Sequence, residues 1–254
     1  MTDDARRKRD AATSFGAAAD AYRESEPHRR GADLDRIAAW CADADRALDV
    51  ATGAGHAAGA LRRAGVETVV AADAAPEMVA TAVREFDARG VVGDAERLPF
   101  DADSFDAVTC RIAAHHFPNP RAFVEEVARV LRPGGTFAFE DNVAPNDRRL
   151  ATFLNRLERE RDPSHVESDP VATWRERLTD AGLSVTETVP FAKTLEVESW
   201  LEAQSPTSAR RRRVLEMLRD APPAARETFD IRATDGTVTS WRNPKVLIRA
   251  TRPD

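Results

Sequence analysis

Three aspartates, Asp49, Asp73 and Asp94, each close a short apolar stretch, and the first runs into the glycine turn "ATGAGH" with Gly53 and Gly55. Strand, glycine turn and helix are how many α/β proteins hold a nucleotide-like cofactor. Gly53, Gly55 and Ala58 also satisfy the G-x-G-x-x-[G/A] dinucleotide pattern, so spacing alone leaves the ligand open. The acids narrow it. A pyrophosphate at the helix N-terminus near residues 53–56 would stand close to Asp49. A ligand carrying an ammonium and a sulfonium gains from that acid, directly or through water. Asp73, twenty residues past Gly53, suits the two hydroxyls of a ribose. Asp94, in "VVGDAERLPF", is positioned to accept from an adenine amino group, and Ala95 offers a backbone N–H. S-Adenosylmethionine combines these features without a phosphate, and it is the cofactor these residues favour.

Candidates for acceptor chemistry follow near the ends of the fourth and fifth apolar segments: His115, His116, Glu140, Asp141 and Asn142. A base is needed only where the acceptor must lose a proton; His116 and Asp141 are the candidates for that role. His115, Asn142 and His165, the last in "RDPSHVES", fall on the substrate side, with His115 and His116 unable to face one site together from regular structure. The segment "ESEPHRRG", with Tyr22 and His28 facing in, would close over the cofactor. Residues 15–31 are then either a lid or a fixed helical wall.

These residues need elements to carry them. Periodicity predicts strands at 46–51, 67–72, 90–93, 105–111 and 136–141, and helices at 55–64, 76–88 and 120–131. Pro76 suits a first helical turn, and "RPGG" (132–135) suits a type II turn. Strands joined by helical crossovers imply a parallel sheet with helices on both faces. Helical spacing also runs from Thr13 to Trp40, broken at Pro27. After Asn142 the pattern predicts two helices, a strand "LSVTETVPF", two further helices and a final edge strand "WRNPKVLIRATR" entered at Asn243-Pro244. The chain is expected to be one domain: a helical cap (1–45), a cofactor-binding core (46–142), and acceptor-side helices with the last two strands (143–254).

The 254 residues are 42% hydrophobic and 31% charged, enough apolar content for a core. A net charge of −6 argues against a general affinity for nucleic acid, and the basic run "ARRRRVLEMLR" is read as the solvated face of a helix burying Val214, Leu215 and Leu218. No signal peptide, membrane span or metal-ligand spacing is visible, and Cys41 and Cys110 are expected to be buried free thiols. A cytoplasmic monomer or homodimer is expected. The only lysines are Lys8, Lys193 and Lys245; every other basic chain is arginine, which fits a GC-rich genome or a saline cytoplasm.

Four stretches in order carry a resemblance: "LDVATGAGH", "VVAADAAPEMV", "GDAERLPFDADSFDAVTCRIAAHHF" and "FVEEVARVLRPGG". Over residues 46–142 the chain resembles class I S-adenosylmethionine-dependent methyltransferases of the type 11 group, which includes the ubiquinone and menaquinone C-methyltransferases. The resemblance implies a doubly wound, Rossmann-like α/β sheet of seven strands, mostly parallel with the last antiparallel, and a small-molecule methyl acceptor. It also implies that Ala51, Gly53 and Gly55 approach the amino-acid end of the cofactor, that Asp73 and its neighbour Ala74 flank the ribose and that Met78 packs on the adenine. Asp94 and Ala95 would read the adenine edge, and Arg111 and Ile112 would flank the methionine portion. Ala51 departs from the family pattern, which has glycine there. The rival readings are a nicotinamide-dependent oxidoreductase, a nucleic-acid methyltransferase, for which "RIAAHHFPNP" lacks the usual (N/D)-P-P-(Y/F), and a cofactor-binding protein without turnover.

Overall fold

The computed structural model describes residues 3–19, 23 and 31–254, so Tyr22, His28 and most of the expected lid lie outside the described residues. Strands β1 (Arg46–Val50), β2 (Thr68–Asp73), β3 (Arg89–Val92), β4 (Phe105–Arg111) and β5 (Leu131–Asn142) pair in parallel. With β6 (Ser184–Glu196), β7 (Arg232–Thr234) and β8 (Thr237–Thr251) they form one sheet in the order β3-β2-β1-β4-β5-β8-β6. β8 runs antiparallel to both its neighbours, and the short β7 pairs only with the start of β8. The seven-stranded doubly wound sheet is thus present, with one small strand more than expected.

Two features of β8 correct the sequence reading. It is an interior strand, flanked by β5 and β6, because Val246, Ile248 and Ala250 are buried on one face and Leu247 on the other. It also starts well before Asn243-Pro244. Pro244 is tolerated because β5 pairs with β8 only from Lys245 onward, so the missing N–H falls where that ladder has ended.

The helices are α1 (Asp3–Ala17), α2 (Ala32–Trp40), α3 (His56–Arg63), α4 (Pro76–Phe86), α5 (Pro120–Val130), α6 (Arg148–Arg161), α7 (Val171–Asp180), α8 (Val197–Glu202), α9 (Ser208–Arg219) and α10 (Pro223–Thr228). One sheet face packs large side chains, Phe123 and Val127 of α5 and Trp174 and Leu178 of α7 against Val108, Phe137 and Phe139. The other face is lined by alanines: Ala58 and Leu61 of α3 and Ile37 of α2 meet Ala47, Ala71, Ala107 and Ala138. Small residues there let the helices lie close to the strands. A separate apolar cluster joins α6, α8, α9 and α10 through Leu157, Leu201, Val214, Phe229 and Trp241. Val214 and Leu218 are buried as the basic run predicts, whereas Leu215 is half-buried. That region has three helices after β6 where two were expected.

At the N-terminus the helix begins at Asp3 rather than near Thr13. Its first-turn acids and the Arg6–Asp3 ion pair suit a helix start, but its charged sequence carries little apolar periodicity. "RPGG" is absorbed into β5: Gly134 has φ 76°, its N–H donates to Arg252 O at 2.8 Å, and Arg252 N–H donates to Gly135 O at 2.9 Å.

Candidate active site

The carboxyl ends of β1, β2, β4 and β5 open into one cavity of about 1100 Å³. Every predicted cofactor residue except Gly55 lines it: Asp49, Ala51, Gly53, Asp73, Ala74, Met78, Asp94, Ala95, Arg111 and Ile112. Gly55 lies just behind, at the start of α3 with φ 89°. A Cβ there would meet Ala82 at 2.7 Å and Phe86 at 2.8 Å, so glycine lets α3 pack against α4. At Gly53, φ is 53° and a Cβ would meet nothing within 4 Å, which leaves room for a ligand beside the turn. Ala51 adopts φ 52°, a left-handed conformation that costs an alanine about 1–2 kcal/mol and explains why glycine suits this position.

The acids at the strand ends hold the turn itself. Asp49 is 1% exposed and accepts from Thr52 Oγ1 (2.6 Å), Thr109 Oγ1 (2.7 Å) and Ala58 N (3.1 Å). All three donors are neutral, and burial pushes its pKa up to about 6. Asp73 accepts from Gly53 N and Ala75 N, both at 2.9 Å, and burial raises its pKa as well. Asp94 accepts from Glu96 N at 3.0 Å and from Lys8 Nζ at 2.7 Å. Lys8 also reaches Glu96 at 2.5 Å, which ties α1 across the cavity mouth. Phe15 of the same helix lines the cavity and packs beside Met78.

On the far side, Arg111 leaves β4 and donates to Glu140 (2.7 Å) and Asp33 (2.6 Å). Lys193 of β6 reaches the same Asp33 at 2.7 Å. Burial alone would raise the Asp33 pKa, but Arg111 and Lys193 hold it well below the usual carboxylate range. Ile112 has φ 55°, an outlier for a β-branched residue, with its N–H donating to Glu140 O at 2.7 Å. Such strain gathers where a chain must present a particular surface.

The histidines follow in a 3₁₀ turn, Ala114–His116. Because the turn is not regular helix or strand, His115 and His116 both line the cavity, their rings 4.1 Å apart, contrary to the expectation that only one of them could. Asp141 meets His115 and not His116: it accepts from His115 N at 2.8 Å and lies 2.6 Å from Nδ1. Burial raises the Asp141 pKa to about 7 and holds that of His115 well below its ordinary value. His116 has its own acid at one remove. Its Nδ1 is 3.1 Å from Ser164 Oγ, which donates to Asp162 at 2.5 Å. His165 lies behind His115, its ring 5.4 Å away and its Nε2 2.8 Å from Asn155 Oδ1. Burial lowers its pKa well below the ordinary histidine value. Asn142 faces the cavity and accepts from Lys245 of β8.

Comparison with known proteins gives the family and the fold. Residues 48–139 match the family described as methyltransferase domain. An uncharacterized methyltransferase of Bacillus subtilis, YcgJ, is 37% identical over 227 residues, covering 86% of this chain and 89% of that protein. The chain belongs to the S-adenosylmethionine-dependent methyltransferases. The crystal structure of a putative methyltransferase from Bacillus halodurans shares this methyltransferase fold with a TM-score of 0.83 at 36% identity, over 88% of this chain and 100% of that one. A demethylmenaquinone methyltransferase from a Mycobacterium species is 41% identical over 109 residues, 43% of this chain and 46% of that protein.

Several methyltransferase residues lining the site were not singled out from sequence as site residues: Lys8, Arg161, Lys193, Asn243 and Lys245, with Asp33 behind Arg111 and Lys193. One signal was present. All three lysines of an otherwise arginine-using chain, Lys8, Lys193 and Lys245, line the cavity.

Proposed function

We propose that the enzyme transfers a methyl group from S-adenosylmethionine to a small-molecule acceptor, held between the ends of β4 and β5 and the helices that follow. One observation carries this reading. A single cavity of about 1100 Å³ joins the glycine turn and its acids to His115, His116 and Lys245, which is room for a cofactor and a modest second molecule.

The residues fit this cofactor better than a dinucleotide. A pyrophosphate at the start of α3 would lie against Asp49 and Asp73, two carboxylates already bonded to the turn. Asp49 has three neutral donors and no ion-pair partner among the described residues, so a ligand cation near it is favourable. When bound, S-adenosylmethionine supplies a methyl on a sulfonium that departs as a neutral thioether. The chain's part is to align the two molecules and keep water out. Asp73 faces the ribose hydroxyls from the cavity wall, Met78 packs on the adenine, and Asp94 with Ala95 meets its edge. Arg111 and Ile112 form the wall beside the methionine portion.

For an acceptor that must lose a proton, His115 is the base the geometry favours. In the tautomer whose Nδ1–H donates to Asp141, Nε2 is the ring's acceptor, and burial keeps the ring neutral. Calorimetric titration with S-adenosylmethionine, S-adenosylhomocysteine and NADH tests the reading: the first two bind and the third does not. Saturable NADH binding with no response to S-adenosylmethionine would reverse it. The small-molecule part is tested by methyl incorporation from labelled cofactor into low-molecular-weight cell extract, against protein and RNA fractions.

A further inference from the structure

Of the three lysines that line the cavity, two have carboxylate partners. Lys8 meets Asp94 and Glu96, and Lys193 meets Asp33. Lys245 is different. It is 5% exposed, and its partner is the neutral amide oxygen of Asn142; it forms no ion pair with any described residue. An ammonium has three protons to donate, so two are left for the space it lines. Beside it on the same face of β8, Asn243 is 3% exposed and gives its Nδ2 to Glu158, while its Oδ1 has no partner. Asn243 lines the same cavity. A buried ammonium with no ion pair and two spare protons, and a buried acceptor without a donor, two residues apart, are costly unless a ligand completes both.

Composition sharpens the point. The chain uses arginine at every basic position except these three. Arginine is a planar fork and lysine a compact point charge on a flexible stem, so the two are not equivalent in a confined polar corner. Lysine is found only at the cavity.

We propose that Lys245 and Asn243 form the acceptor-recognition corner of the site, and that the acceptor is an oxygen acid: its oxyanion pairs with Lys245 while a neighbouring O–H or N–H donates to Asn243 Oδ1. The charged groups around Lys245 agree with this. Glu140 and Asp141 of β5 act on it as acids, and Arg111 and Lys193 as cations; Glu140 gives Oε2 to Arg111 and keeps Oε1 buried without a hydrogen-bond partner, yet neither acid comes within ion-pair distance of Lys245. Burial lowers the Lys245 pKa to about 8, which leaves it charged at neutral pH and short of a partner. The inference rests on the methyltransferase reading, and it specifies what that cavity takes.

The oxyanion has two sources, a phenol or enol and a carboxylic acid, and two probes separate them. 4-Nitrophenol absorbs differently as acid and as anion, and 2-naphthoate is a carboxylate reported by its fluorescence. Each is titrated into protein saturated with S-adenosylhomocysteine, beside neutral nitrobenzene. At least one anion binds, in preference to nitrobenzene, and 4-nitrophenol, if bound, shows the anion spectrum. In Lys245→Met, a replacement of similar volume, anion affinity falls about ten- to a hundred-fold, the loss of one charge-assisted hydrogen bond. S-Adenosylhomocysteine titration and thermal melting of the same variant show that the fold and the cofactor side persist. If S-adenosylhomocysteine binds but neither anion does, or the anions bind Lys245→Met as well as the natural protein, the acceptor inference is overturned and the methyltransferase reading stands. If S-adenosylhomocysteine itself does not bind, the functional reading has failed first.

Discussion

Asp141 holds His115 at two points, accepting from its backbone N–H at 2.8 Å and facing its ring Nδ1 at 2.6 Å. The ring is thereby held in one orientation within a turn whose backbone alone would not settle it. The carboxylate of Asp141 is fully buried and also accepts from Asn142 N at 2.8 Å.

That burial has a pH signature. Folding raises the Asp141 pKa from about 3.8 to about 7, so the folded state binds this proton more tightly than the unfolded chain does. Stability from this group is therefore greatest below the unfolded value and falls as pH rises from about 4 to about 7, by an amount on the order of 3–4 kcal/mol. His115, whose folded pKa is depressed, acts in the opposite sense: its stabilisation is present above about 6.5 and is lost as pH falls. Urea midpoints of the natural protein and Asp141→Asn, measured between pH 5 and 8, separate the two. The variant gains relative to the natural protein as pH rises, and parallel profiles would remove Asp141 from this role.

For turnover, the two histidines are distinguishable. With an acceptor that must be deprotonated, His115→Gln lowers kcat by about 10²–10⁴-fold, the range of a lost general base. His116→Gln, whose acid Asp162 is hydrogen-bonded to it only through Ser164, has the smaller effect. Rate measurements on both variants with one acceptor check this, and equal losses would point to packing of the two adjoining rings.

On the cofactor side, Asp73→Ala is expected to weaken S-adenosylmethionine binding about ten- to a hundred-fold while the fold survives. Part of the loss arises in the free protein, because Gly53 N and Ala75 N lose their acceptor. Asp73→Asn keeps one acceptor oxygen and falls between the two. Calorimetry on the folded variants gives the ratio; unchanged affinity takes Asp73 out of the site.

The N-terminal helix should respond to the cofactor. α1 crosses the cavity mouth through Lys8, bonded to Asp94 and Glu96, and through Phe15 beside Met78. Hydrogen exchange across residues 3–17 is expected to slow when S-adenosylhomocysteine binds, and Lys8→Met should reduce that protection. Identical exchange with and without the ligand would mean a fixed wall.

Much of the fold was legible in sequence because β1 to β5 and their helices obey local rules. Proline at the start of α4, an apolar run in each strand and glycines at the turn set those boundaries to within a residue or two, although β5 extends back through "RPGG". α1 was missed over its first ten residues because charge conceals its periodicity, and β8 was misplaced because a proline resembles an edge marker until its ladder partner is known. The strand-end acids were legible because acids at such positions are few. The His115–Asp141 pair was not: the two are 26 positions apart, and only an irregular turn brings them together. Lys245 was visible as one of three lysines, but the absence of a counter-charge is a property of the folded cavity.

The interior position of β8 also orders events during synthesis. β6 touches the rest of the sheet only through β8, and Lys245 and Asn243 reach the cavity on that same strand. A nascent chain can pair β1 to β5 from contacts made early, but β6 waits without a neighbour until residues some fifty positions later have left the ribosome. In that interval the exposed edge of β5 and the unpaired β6 are open to mispairing with other chains. Cotranslational yield should therefore depend more on the rate of making residues 197–251 than on any step in the cofactor half.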